Sequence, residues 1–207
     1  MYAETACKTE MFFIIHCKKP TKFLRTRAII VKKWGENMNH EDYQMAAEHW
    51  TKKDASSVAM DPLRLKNAIE EYIQANNTCA LATGVGDYVR CTPIEYSFRG
   101  GSFYLFSEGG KKFVALEHNK NVCLAIFDPY RGFAQLKGLQ VERTASLIEP
   151  FSEEYNAQAN FKKIPLAALK KLPEPLHLIK ITPFHYDFLN TDFKKEGFAS
   201  RQSLSLR

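Results

Sequence analysis

The chain of 207 residues contains no GxGxxG, no GxxxxGK(S/T), no HExxH and no CxxC. These absences remove the usual signatures of Rossmann dinucleotide enzymes, P-loop nucleotide hydrolases, zinc peptidases and structural zinc folds, and no metal site is expected. No apolar run approaches the roughly 20 residues that cross a bilayer, so no membrane partner is expected. The short apolar run Met11–Ile15 is followed by its basic cluster, whereas a secretory signal has the basic residues first. Cysteine is scarce and odd in number (Cys7, Cys17, Cys79, Cys91, Cys123) in a chain long enough to bury its own core, which fits reduced thiols in a cytoplasmic protein. Cys79, Cys91 and Cys123 fall in strand-like stretches and read as small buried apolar residues.

What is present in excess is positive charge, and its location matters. Of the net +6, residues 1–37 hold +5, from eight Lys/Arg against three acids, so the rest of the chain is close to neutral. A clustered phosphate-tracking surface on the body is not supported, and no nucleic-acid partner is expected. Residues 18–33 also read as a possible basic arm. The favoured reading is that residues 1–37 are a non-native or disordered leader. The codons for Trp34-Gly35-Glu36-Asn37 can form a purine-rich run before an ATG at Met38, which makes Met38 a candidate start. N-terminal mass spectrometry of the protein from its own host tests this, since peptides upstream of Met38 contradict it.

Residues 38–60 form a polar segment around His49–Asp54. Asp61-Pro62 then supplies an N-cap and a first-turn proline, and Leu65, Ala68, Ile69, Tyr72 and Ile73 recur at helical spacing up to Asn76-Asn77. After this helix the period changes. Strands are expected at Thr78–Thr83, Tyr88–Phe98 and Ser102–Ser107, a short helix over Lys111–Asn119, and further strands at Val122–Phe127, Phe133–Ile148 and Leu176–Leu189. Helices start at Ser152 and Pro165, and residues 191–207 read as a C-terminal tail. Strands dominate without βαβ alternation, which predicts a closed or split β-barrel with flanking helices, mainly β in an α+β arrangement.

One stretch carries chemistry. In Ser107-Glu108-Gly109-Gly110-Lys111-Lys112-Phe113 a strand ends, two glycines turn, and a helix opens with two lysines; unpaired N–H groups, a hydroxyl and ammonium groups can gather there around an anion. Taken alone, it reads equally well as a Gly-Gly turn with solvated lysines. Arg90 shifts the balance, because strand alternation puts Arg90, Thr92, Ile94 and Tyr96 on one face, where the guanidinium can converge on the same anion. Pro93 cannot donate to a ladder, so this strand is an edge or bulges there.

These residues resemble the pyridoxamine 5'-phosphate oxidase-like, FMN-binding split-barrel family. The likeness runs over residues 62–190, through Cys79–Thr83, Val89–Tyr96, Phe103–Lys112, Asn119–Ile126 and Gly138–Val141. It implies a six-stranded antiparallel split β-barrel of Greek-key type, with residues 61–190 as the FMN-binding domain, and a homodimer holding two FMN molecules at its interface. It implies Arg90 and Lys112 as phosphate-binding cations, Ser107 as the hydroxyl at the strand end, and Lys111 as its basic neighbour. Cys91 and Thr92 would meet the flavin ring or ribityl chain, and Gln140 falls in a strand that carries a flavin-contacting glutamine. Trp50, Tyr96 and Tyr130 are aromatic candidates for covering the ring, weighed against ordinary packing.

Three departures bear on activity. Glu95 stands where the oxidases that make pyridoxal phosphate have lysine, Arg143 stands where relatives often have glycine, and the substrate motif near the C-terminus of those oxidases is not recognisable in Phe193–Arg207. The expectation is therefore an FMN-dependent oxidoreductase passing electrons from a reduced nicotinamide or other donor to a small-molecule acceptor, and not a genuine pyridoxine phosphate oxidase. The alternatives are a haem-binding or haem-degrading protein, with His118, His177 or His185 as axial ligand, and a non-catalytic flavin-binding or stress-related module.

Overall fold

A computed structural model describes residues 38–206. The expectations for residues 1–37 lie outside the described residues. The chain divides between Thr51 and Lys52 into two compact units.

Helix α1 (His40–Ala55), which starts in the first unit, begins with a reciprocal cap. Asn39 N–H donates to Asp42 Oδ2 and Asp42 N–H donates to Asn39 Oδ1, both at 3.0 Å. Glu41 and Asp42 in its first turn and Lys52 and Lys53 in its last complement the helix dipole. None of its residues is buried. The polar segment thus contains a helix that hydrophobic periodicity could not reveal, because capping and charge placement mark it instead of an apolar stripe.

In the second unit, helix α2 (Pro62–Ala75) starts as the sequence predicts, with Asp61 Oδ1 accepting from the N–H groups of Leu63 and Arg64 and Pro62 in the first turn. Its buried stripe is Leu65, Ile69 and Ile73, each worth roughly 1.5–3 kcal/mol of burial. The strands are β1 (Thr78–Val85), β2 (Tyr88–Glu95), β3 (Ser97–Arg99), β4 (Ser102–Ser107), β5 (Asn121–Phe127), β6 (Lys137–Ile148), β7 (His177–Ile181), β8 (His185–Asn190) and β9 (Arg201–Ser205). Short helices α3 (Lys112–His118), α4 (Glu153–Phe161) and α5 (Leu166–Leu169) interrupt them.

All pairings are antiparallel, in the order β2-β1-β5-β6-β7-β4-β3, with β8 and β9 extending from β6. Because β2 and β3 are consecutive through Tyr96, the path returns to its start, and the sheet curls into the expected split barrel. Among the described residues, nine strand segments build the sheet where six strands were expected. The stretch 176–189 breaks at Thr182–Phe184 into β7 and β8, β3 splits from β2, and the C-terminal residues add β9. Strand β6 serves both halves, pairing with β8 over Lys137–Glu142 and with β7 from Ala145.

The described residues 191–206, in the stretch expected as a tail, are instead built into the fold. Thr191–Glu196 form a 3-10 helix, β9 pairs along β8, and Gln202 is buried with its Oε1 accepting from Met60 N–H at 2.9 Å. Inside the barrel lie Leu81, Leu105, Leu124, Ile126, Leu139, Val141, Ile179 and Ile181. Cys79 is buried there and its thiol is pushed up to about 12 by burial and the nearby Cys91. Cys91 itself is exposed and Cys123 half-buried, contrary to the buried reading. Alternation places both on the outer face of the sheet, in line through Ala82. Among the described residues, no helix is long and apolar enough to cross a membrane.

Candidate functional site

Among the described residues, strand β2 pairs with β1 alone and is an edge of its sheet, as Pro93 requires. Arg90 lies directly opposite Thr83, and Thr92 opposite Leu81, so Arg90 and Thr92 share one face of β2, with Arg90 exposed to solvent. Cys91, opposite Ala82, points to the other face. Helix α3 packs against β1 and β2, bringing Lys112 to this wall.

The turn between β4 and α3 is shaped by Gly109 and Gly110, at φ of +119° and +98°, a region that side-chain-bearing residues rarely enter. Ser107 Oγ binds across this turn, accepting from Gly109 N–H at 3.1 Å and donating to Gly109 O at 3.2 Å. Lys112, only 7% exposed, donates its ammonium to Gly109 O at 2.5 Å. Lys111 is exposed, and its carbonyl accepts from Tyr88 O–H at 3.1 Å. The helix that follows has seven residues and no side-chain cap, so the anion-binding potential rests on side chains more than on the helix dipole expected from sequence.

The electrostatics are lopsided. Burial, and then the charge of Arg90, hold the Lys112 ammonium below the usual lysine range. Neither cation is paired with a carboxylate among the described residues. Thr83 Oγ1 and Thr92 Oγ1 on the same wall are buried without a hydrogen-bond partner. Two near cations and two unsatisfied hydroxyls on one wall are costly by themselves and favourable around an anion.

Gln140 does not join this cluster. It lies on β6, three strands from β2, on the face that carries Cys91; three strand spacings are about 14 Å. Of the aromatic candidates, Tyr96 is core, 3% exposed, with its hydroxyl donating to Ile73 O at 2.7 Å, so it cannot cover a ligand. Tyr130 is exposed and packs edge-on against Phe133; Trp50 is exposed on α1 beside His49. The three histidines are dispersed. His118 is exposed near Glu117, His177 stacks at 4.6 Å on Phe113, and His185 contacts Ser205 and Asp187.

The sequence profile described as pyridoxamine 5'-phosphate oxidase matches residues 65–190, more than half of the chain and all of the strands that build this wall. The chain belongs to the pyridoxamine 5'-phosphate oxidase family. Among solved structures, Campylobacter jejuni ChuZ is similar at 15% identity over 82% of this chain and 70% of that chain, with a TM-score of 0.55. A FAD-binding protein from Mesorhizobium loti aligns at 17% identity over 58% of this chain and 89% of its own, TM-score 0.48. HutZ, the haem storage protein from Vibrio cholerae, aligns at 20% identity over 57% and 89%, TM-score 0.48. At these identities the likeness is one of fold. No curated protein sequence matches the chain.

Within this oxidase-family barrel, two residues near β2 join the picture only through the structure. Thr83 reads from sequence as an ordinary strand residue, and nothing local marks its hydroxyl as unsatisfied. Lys162, after the end of α4, pairs with Glu95 at 2.5 Å, bringing an ammonium to the acid at the end of β2.

Proposed function

We propose that the protein is an FMN-binding flavoprotein, acting as a cytoplasmic homodimer that passes electrons between a reduced nicotinamide or other donor and a small acceptor. The observation that carries this reading is the convergence of Arg90 and Lys112, without a carboxylate partner among the described residues, beside the buried hydroxyls of Thr83 and Thr92. A phosphate monoester satisfies both features, and FMN is the phosphorylated cofactor that this reading assigns.

FMN, when bound, supplies the redox chemistry. Arg90 grips the phosphate through its planar fork, and Lys112 adds a point charge once its ammonium leaves Gly109 O. Ser107 and Lys111 border the turn, with Ser107 able to donate when it lets go of Gly109. The free edge of β2 offers the backbone of Cys91 and Thr92 along the length of the ligand, since Pro93 leaves no ladder to compete there. Gln140, on the far face, would serve the FMN of the partner subunit. At the end of β2 the Glu95–Lys162 pair presents a neutralised ion pair in place of a bare cation, which disfavours a phosphorylated acceptor and supports a reading away from pyridoxine phosphate oxidation.

The test is the absorption spectrum of the purified protein, recorded alone and after adding FMN or haemin, with a size measurement on the same sample. Flavin bands on a dimer are expected. A Soret band with no flavin uptake would move the assignment to haem, and uptake of neither would leave a binding module.

A further inference from the structure

Thr83 sits in the middle of the barrel wall at 3% exposure, yet its hydroxyl has no hydrogen-bond partner. A threonine in a strand core normally turns its hydroxyl to a carbonyl or a water, because an unmade hydrogen bond in an apolar interior is costly. The neighbours that strand pairing provides are Arg90 on one side and Val122 on the other. Directly opposed residues on antiparallel strands hold their Cβ atoms about 4.5–5.5 Å apart on one face. The guanidinium carried on that face is a donor only, and no hydrogen bond joins it to the hydroxyl. Lys112 reaches the same wall from α3 and is likewise a donor only. The hydroxyl is unpaired on the wall that carries Arg90, so an anion entering between Arg90 and Lys112 brings it an acceptor.

We infer that Thr83 is a direct ligand of the anion held by Arg90 and Lys112, donating its hydroxyl proton to a phosphate oxygen from the barrel wall. The inference rests on the phosphate-site reading above and adds to it a residue on a different strand from those already assigned. Thr83 fixes the depth at which the phosphate sits. It also raises selectivity for the phosphorylated flavin over riboflavin, because its contact is made only when phosphate is present.

The experiment compares the full chain carrying Thr83→Val, which keeps the shape and removes the hydroxyl, with Thr83→Ser, which keeps the hydroxyl. FMN and riboflavin affinities are measured by fluorescence quenching, and unfolding of the ligand-free protein by urea. Thr83→Val is expected to weaken FMN about ten-fold or more, the scale of a hydrogen bond to a charged group. Riboflavin should be unaffected, the ligand-free variant should be at least as stable as the wild type, and Thr83→Ser should bind FMN nearly as the wild type does. Equal FMN affinity in wild type and Thr83→Val overturns the inference and leaves the phosphate site standing. Parallel losses of FMN and riboflavin overturn it too, since they signal general damage. A wild type that takes up no FMN overturns the phosphate-site reading and this inference together. If Thr83→Val does not fold, Thr83→Ala against Thr83→Ser carries the same comparison.

Discussion

Arg90 on β2 and Lys112 at the start of α3 repel each other across the barrel wall, and that repulsion, added to burial, lowers the affinity of Lys112 for its proton. Folding holds the two cations together because β1, β2 and α3 pack on one another. Their energy falls when an anion lies between them.

Replacing either cation should therefore weaken FMN. Arg90→Ala and Lys112→Ala are each expected to cost about 1.5–3 kcal/mol of binding, the scale of a charge-assisted hydrogen bond, while riboflavin binding stays close to wild type. Isothermal titration with both ligands checks this, and unchanged FMN affinity in both variants removes the site assignment.

The lowered Lys112 value gives a pH dependence of known sign. An unfolded lysine titrates at its ordinary value of 10.5, so between the lowered folded value and 10.5 the unfolded chain holds more protons. In that window the stability of the ligand-free protein rises with pH, and this contribution is lost as pH falls through the folded value. FMN binding runs the other way. The phosphate needs the ammonium, so affinity should fall as pH rises through the Lys112 value, and Lys112→Arg should keep the affinity level. A wild-type profile as flat as that of Lys112→Arg would contradict this role for Lys112.

Glu154 has the opposite sign. Its carboxylate accepts from Lys180 Nζ at 2.7 Å and from Tyr104 O–H at 2.8 Å, and these contacts hold it below the usual carboxylate value of 4.5. Its stabilising contribution is present above 4.5 and lost as pH falls through the lowered folded value. Urea unfolding across the acid range, from neutral pH down to about pH 2, should show a smaller acid loss in Glu154→Gln than in the wild type.

The turn itself is sensitive to backbone strain. A Cβ added at Gly109, at φ of +119°, would meet nothing within 4 Å, so the cost of Gly109→Ala is conformational and not steric. A cost of about 1–3 kcal/mol is expected in urea unfolding, with FMN affinity reduced in parallel because the path of this turn sets where Ser107 and Lys112 sit.

Separation of Gln140 from Arg90 leads to a complementation test. Dimers mixed from Arg90→Ala and Gln140→Ala chains should regain one FMN site of wild-type affinity, composed of Arg90 from one chain and Gln140 from the other. If both residues served the same FMN from one chain, every site in the mixed dimer would stay impaired.

Much of this arrangement was legible in the sequence because its determinants are local. Asp61 and Pro62 mark the start of α2, Pro93 marks an edge strand, Gly109-Gly110 marks the turn, and alternation puts Arg90 and Thr92 on one face. None of these needs a distant partner. The strand β9 needed one, since its residues are polar and acquire their place only by pairing with β8 and by the seating of Gln202 against Met60. The exposure of Cys91 likewise depended on β2 lacking a second neighbour among the described residues. What only the tertiary structure decided is which groups share a space. It brought Lys112 and Thr83 to Arg90, placed Tyr96 in the core, and left Gln140 on the opposite face, because cross-strand register and sheet curvature are set by the whole barrel and not by the residues flanking each position.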